Sequence, residues 1–252
     1  LLAPVLGGYL LYFFGWRSIF YALSIIGFIA FTIIIFVLPE TVKEQDNDAS
    51  IFKTSIKNYA TLLTSPDAMG IIGVFAFSFG AMFAFIAGSP FVYIEYFGIP
   101  DHYYGFLFLL NVVGMIVMLL INMRLINRFS LRQIIFFQTT FQLVAGAALF
   151  IMNETNVYIV VTFVVLFISM TNALGANSLS LLLEQRGNMA GSASALAISS
   201  QFAAGCLSSY LVSVFQDDSP WAMTLMMLIF ASLSFAHQFM IKKTKTNEDT
   251  SS

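Results

Sequence analysis

The chain has 252 residues and a formal net charge of -2; 59% of the residues are hydrophobic and only 10% are charged. A soluble domain carries about 25% charged residues, so most of this surface is not made for water. With 28 Phe and a mean hydropathy of +0.86, the expected solvent is lipid. The charge balance offers no basic surface for nucleic acid. The single cysteine, Cys206, excludes an internal disulfide and reads as a small buried packing residue in an apolar run.

In chain order, apolar runs predict a partial span over 1–14, interrupted by Pro4, and complete spans over 18–38, 69–93, 103–123, 133–152, 157–183, 190–215 and 221–241. Each complete run is near the length of about 20 residues that crosses a hydrocarbon core of roughly 30 Å. The first run opens at Leu1 inside a helical pattern, with no Met and no basic leader, so it is not a signal peptide and predicts an amino-terminally truncated chain.

Between the second and third segments lies a polar connector that opens with Pro39-Glu40-Thr41 and carries too little apolar area to pack alone. Within it Ile51, Phe52, Ile56, Tyr59, Leu62 and Leu63 recur at helical spacing with Lys53 and Lys57 between them, which predicts a helix lying on the membrane face. Four regions follow: 1–38 as the end of a first helical half, 39–68 as linker, 69–241 as a six-helix second half, and 242–252 as a tail.

Alternating the connectors puts Lys43, Lys53, Lys57, Arg124, Arg128, Arg132, Arg186, Lys242, Lys243 and Lys245 on one side and only Arg17 on the other, which predicts that the first side, with the carboxy terminus, is cytoplasmic.

Leu2-Ala3-Pro4-Val5-Leu6-Gly7-Gly8 places a helix breaker and small residues on one helix, where the backbone can bend and approach a neighbour. After a short turn comes Trp16-Arg17-Ser18-Ile19-Phe20. Leu38-Pro39-Glu40-Thr41, Gly80-Ala81-Met82-Phe83-Ala84-Phe85, Ser89-Pro90-Phe91-Val92-Tyr93-Ile94-Glu95 and Asn188-Met189-Ala190-Gly191-Ser192-Ala193-Ser194 follow in order. Together these resemble major facilitator superfamily exporters, and within them the Bcr/CflA, bicyclomycin-resistance type of drug:proton antiporter.

The resemblance spans nearly the whole chain and implies an all-α integral membrane fold, a partial helical bundle from the end of the fifth helix to the twelfth. It implies that about four helices precede Leu1, among them the proton-coupling basic motif. Ala3, Pro4, Gly7 and Gly8 correspond to the antiporter and gating motif. The implied protein is a multi-pass component of the bacterial inner membrane, monomeric at full length. It has no cofactor, draws on the proton gradient, and has lipid, protons and small drugs as its partners.

An ionisable group within a span is costly and marks function by default; the spans hold none at mid-depth, since Glu95 and His237 fall near helix ends. Substrate contacts are therefore sought among neutral polar groups, Asn111, Asn172, Asn177 and Gln201, although the more ordinary role of each is an interhelical hydrogen bond. Met82 and Phe83, in an aromatic stretch with Phe79 and Phe85, suit flat and variable apolar drugs. The resemblance turns the ninth and twelfth helices toward lipid, which sets Gln138 and Gln142 aside. Arg124, Arg128 and Arg132 recur every fourth residue, either as topology determinants beside lipid headgroups or as a cytoplasmic latch to Glu184 or Asp67.

No nucleotide-binding G-x-x-x-x-G-K-S/T loop and no H-E-x-x-H motif occurs, and no nucleophile is paired with a base inside the spans, so neither a primary pump nor an enzyme is expected. The expectation is a secondary exporter of amphipathic compounds. The alternative is a non-transporting membrane piece or packing subunit. A channel would need a polar ring that these spans do not provide.

Overall fold

The computed structural model describes residues 7, 9, 10, 13–37 and 48–241, with side chains in the last stretch from Lys53 onward. Every regular element among them is helical. The helices are α1 (Trp16–Val37), α2 (Asp48–Thr64), α3 (Pro66–Pro90), α4 (Asp101–Leu125), α5 (Leu131–Ile151), α6 (Val157–Gln185), α7 (Ala190–Val214) and α8 (Trp221–His237). Short 3-10 turns, Gly187–Met189 and Gln238–Met240, precede α7 and follow α8. Among the described residues, seven helices are long and apolar enough to cross a membrane: all of these but α2. They coincide with the seven complete spans expected from hydropathy. Most of the partial span over 1–14 and the tail over 242–252 lie outside the described residues, as do residues 38–47 of the connector.

The helix ends follow local chemistry. Ser65 caps α3, accepting from the Ala68 backbone N–H at 3.5 Å with Pro66 at the first turn, where its missing N–H costs nothing. Ser130 and Gln133 form a reciprocal capping box at α5, and the Asn156 side chain accepts from Tyr158 N–H at 2.9 Å to start α6. Pro90 cannot donate to the helical ladder, and directly after it the backbone widens into a π-helical turn, Phe91–Tyr96. Gly98, at a φ of 67°, then reverses the chain into α4.

The chain divides into two compact units, Leu1–Lys53 and Thr54–Ser252. In the first, α1 has no buried residue, so its surface, largely apolar all round beyond Arg17 and Ser18 at its start, is of the kind satisfied by lipid or by other helices. The second unit is built around α3, which packs on α6, α7 and α8; α5 packs on α6 and α8, and α4 on α6. Glycine makes these approaches possible. A side chain at Gly80 would collide with the Phe230 ring of α8, and one at Gly73 with the His237 ring. At the linker end of the bundle, Leu62 of α2 is wholly buried with Ala68, Ile71 and Ile241, whereas Ile56 and Leu63 are exposed.

Candidate functional site: the neutral polar interior and the open aromatic face

Every buried polar residue among those described is an uncharged Ser, Thr, Asn or Gln. Two networks account for many of them. At the end of the bundle near the α4–α5 loop, Asn122, Gln138 and Asn177 join α4, α5 and α6. Asn122 Nδ2 donates to Asn177 Oδ1 at 3.0 Å, and Asn177 Nδ2 donates to Asn122 Oδ1 at 2.8 Å and to Gln138 Oε1 at 3.0 Å. Gln138 Nε2 returns a bond to Asn122 Oδ1 at 3.2 Å. Nearer mid-bundle, Ser78 Oγ of α3 donates to Gln142 Oε1, and Gln142 Nε2 donates to Thr171 Oγ1 of α6, both at 3.0 Å.

These networks correct the expectation that Gln138 and Gln142 face lipid: both are 0% exposed. They share the buried stripe of α5 with Ile135, Ala145 and Leu149, while Phe136, Phe137, Val144 and Ile151 point outward. Hydrocarbon offers an amide no partner, so the glutamines turn inward to other amides and hydroxyls. Their spacing of four residues, in phase with that apolar stripe, is the signal in the sequence that places them inside. Asn122, Ser78 and Thr171 were missed for a different reason: nothing local distinguishes a buried polar group from an exposed one until its partner helix is known.

The proposed substrate contacts fall into distinct environments. Asn177 is fully engaged in the amide triad. Asn111 is buried and donates from Nδ2 to the Leu107 carbonyl at 3.0 Å, while its Oδ1 is buried with no hydrogen-bond partner among the described residues. Gln201, also buried, makes no side-chain hydrogen bond among the described residues. Asn172 is exposed on α6, its Nδ2 3.6 Å from Met115 Sδ. Met82 and Phe83 are half-buried. Met82 packs on the main core cluster, and Phe83 continues a ladder of rings, with Phe79 at 6.0 Å on α3 and Phe202 edge-on at 6.3 Å on α7. Gly205 is what lets Phe83 lie against α7, since a Cβ there would sit 2.9 Å from the ring.

Cys206 is exposed, against the expectation of burial. The inner face of α7 is made by Ala197, Gln201, Ala204, Gly205 and Ser208, and Cys206 lies on the opposite side of the helix. Of the motif residues Ala3, Pro4, Gly7 and Gly8, only Gly7 is described, in helical conformation and half-buried; the other three lie outside the described residues. Arg124 and Arg128 are exposed and Arg132 is half-buried. Within the described residues none of their guanidinium groups makes a hydrogen bond or ion pair, and Arg132 Nη1 is buried without a partner. Arg186, at the end of α6, donates through Nη2 to Ser65 Oγ at 2.6 Å and so ties α6 to the cap of α3.

Apolar spans, inward neutral polar groups and glycine-mediated helix approach define a multi-pass α-helical membrane protein. The chain belongs to the Major Facilitator Superfamily, whose model matches residues 1–209. It is 28% identical over 221 residues to a bicyclomycin resistance protein homolog of Haemophilus influenzae, covering 87% of this chain and 56% of that protein. It is 30% identical over 200 residues to an uncharacterized MFS-type transporter, YdgK, of Bacillus subtilis, covering 78% of this chain and 50% of that protein. The chain thus spans about half the length of these relatives.

Proposed function

We propose that the chain forms part of a secondary-active exporter of the Bcr/CflA type, which moves small amphipathic compounds out across the bacterial inner membrane in exchange for protons. The observation that carries this reading is the open surface of α3 and α7. There the rings of Phe79, Phe83 and Phe202, with the half-buried thioether of Met82 beside them, offer adaptable apolar contact, and the inward amide of Gln201 on α7 makes no side-chain hydrogen bond among the described residues; Asn111, on α4, also keeps a buried acceptor without a partner among them. Such a surface suits flat molecules of varied shape, bound by contact area with few fixed hydrogen bonds. The resistance protein homolog of Haemophilus influenzae supports a drug-like cargo.

No charged side chain is buried among the described residues, so the reading places the proton carrier outside this six-helix unit. The carboxy terminus lies on the cytoplasmic side, where ten of the eleven Lys and Arg fall. Ala3, Pro4, Gly7 and Gly8 serve as the gating motif, and Arg124, Arg128 and Arg132 serve the cytoplasmic face.

Drug efflux from energised bacterial cells tests the reading, with this chain compared with a version extended by four upstream helices, each with and without a proton uncoupler. Uncoupler-sensitive export by the extended chain, with a drug range altered by Phe83→Ala, is the expected result. Absence of export from both chains, or export that ignores the uncoupler, refutes it.

A further inference from the structure

We infer that the corner between α4 and α5 is a binding site for a single anionic phospholipid, with its phosphate at Arg124 and Arg128 and an acyl chain in the adjoining apolar groove. Two cavities meet there. One, of about 420 Å³, is lined by Leu125, Phe129, Gln133, Ile134 and Phe137. The other, of about 480 Å³, shares Leu125 and Phe129 and adds Ile121, Arg124, Asn127 and Arg128. Each is within the range of about 300–1,000 Å³ typical of small-ligand sites. The apolar volume therefore opens directly onto a cationic one, which is the polarity of a lipid: chain at one end, charge at the other.

Among the described residues the charge is uncompensated. Residues 124–133 hold three arginines and no carboxylate, and no guanidinium among them has a hydrogen-bond or ion-pair partner within the described residues. Glu184, the acidic residue at the end of α6, is exposed and makes no ion pair there. A zwitterionic headgroup brings its own cation to such a site, whereas an anionic headgroup brings only the phosphate charge that guanidinium groups hold.

The site is also preformed. Ile126 N–H bonds to Asn122 O at 3.0 Å, and the Arg128 and Phe129 N–H groups both bond to Leu125 O at 2.9 Å, so the corner is a closed turn. Gln133 Oε1 accepts from Ser130 N at 3.1 Å in the capping box. Phe129 immediately before the cap and Ile134 four positions after it occupy the two positions of a hydrophobic staple, and both line the groove. Phe129 and Phe137 nevertheless leave 51% and 54% of their surface uncovered, the face an acyl chain would cover.

Native mass spectrometry of the purified protein, with equimolar phosphatidylglycerol and phosphatidylcholine in the detergent, tests the site. Retention of one phosphatidylglycerol over phosphatidylcholine by on the order of tenfold is expected, the effect of two guanidinium groups on one phosphate. Arg124→Ala with Arg128→Ala should bring the ratio near one, and the double Lys variant should keep most of the preference. In the unmodified protein, high salt should lower it, a result that needs no variant to fold. Inorganic phosphate should fail to displace the retained lipid. Equal retention of both lipids, an unchanged preference in the double Ala variant or under high salt, or ready displacement by inorganic phosphate would each overturn the inference.

Discussion

Replacing Asn177 by Leu removes the centre of the amide triad while keeping the branching and heavy-atom count of the side chain. Three hydrogen bonds are lost: the two exchanged with Asn122, at 3.0 and 2.8 Å, and the one to Gln138 Oε1 at 3.0 Å. Asn122 Oδ1 keeps the bond from Gln138 Nε2, but Asn122 Nδ2 and Gln138 Oε1 are left buried without a partner. Interhelical side-chain hydrogen bonds in membrane proteins average about 0.6 kcal/mol, so three amount to about 2 kcal/mol. For a domain of this size that lowers the thermal midpoint in detergent by about 4–8 °C. Desolvation makes the loss recoverable in one way only. When Asn122, Gln138 and Asn177 are all made Leu, no polar group is left unpaired, and the triple variant should regain at least half of the lost stability. Thermal unfolding of the single and triple variants decides the matter. A single variant as stable as the parent, or a triple variant less stable than the single, would refute the reasoning.

Two further substitutions probe the elements that position the open face. Ser65→Ala removes both the cap of α3 and the acceptor of Arg186 Nη2, and should cost about 1 kcal/mol, read as a lowered thermal midpoint; the same variant made in an Arg186→Ala background should lose less, because the two share one bond. Gly205→Val drives a side chain into the Phe83 ring and should destabilise by about 1–3 kcal/mol, while adding Phe83→Ala should restore most of it in a double-mutant cycle.

The spans were legible because length and apolarity act locally: a run of about 20 apolar residues needs no partner to declare itself. The existence of α2 was equally legible from its spacing. Its fate was not. Leu62 is buried while Ile56 and Leu63 are exposed, which depends on α3 and on Ile241 near the end of the described chain, far away in sequence. The polar interior shows the same limit. Asn177 and Asn111 were found as polar groups within spans, yet whether such a group is engaged, as in Asn177, or left with a free acceptor, as in Asn111, is set by what the neighbouring helix brings within 3 Å. Cys206 was misplaced because α7 is small and weakly amphipathic on several faces, so its sequence does not say which side meets α3.

The second unit is held by two unlike kinds of contact, and they predominate at different helix pairs, although Ser78 of α3 also bonds to Gln142 of α5. The α4, α5 and α6 helices are joined by amide and hydroxyl bonds whose strength depends on direction and distance, so movement at those contacts breaks them as a set. The α3 helix meets α7 and α8 largely through rings and thioether groups seated over glycines, as Phe83 over Gly205, Phe230 over Gly80 and Met223 over Gly88, with one buried bond from Ser234 Oγ of α8 to the Val74 carbonyl at 3.2 Å. Packing of that kind has no preferred direction, and a ring can slide along a glycine surface with a graded loss of contact. Across the α3–α7 contact the side-chain hydrogen bond present is a long one, from Ser209 Oγ to the Phe83 carbonyl at 3.4 Å. The face bearing Phe79, Phe83 and Phe202 is therefore held mainly by close packing between α3 and α7, the most extensive helix–helix contact among the described residues.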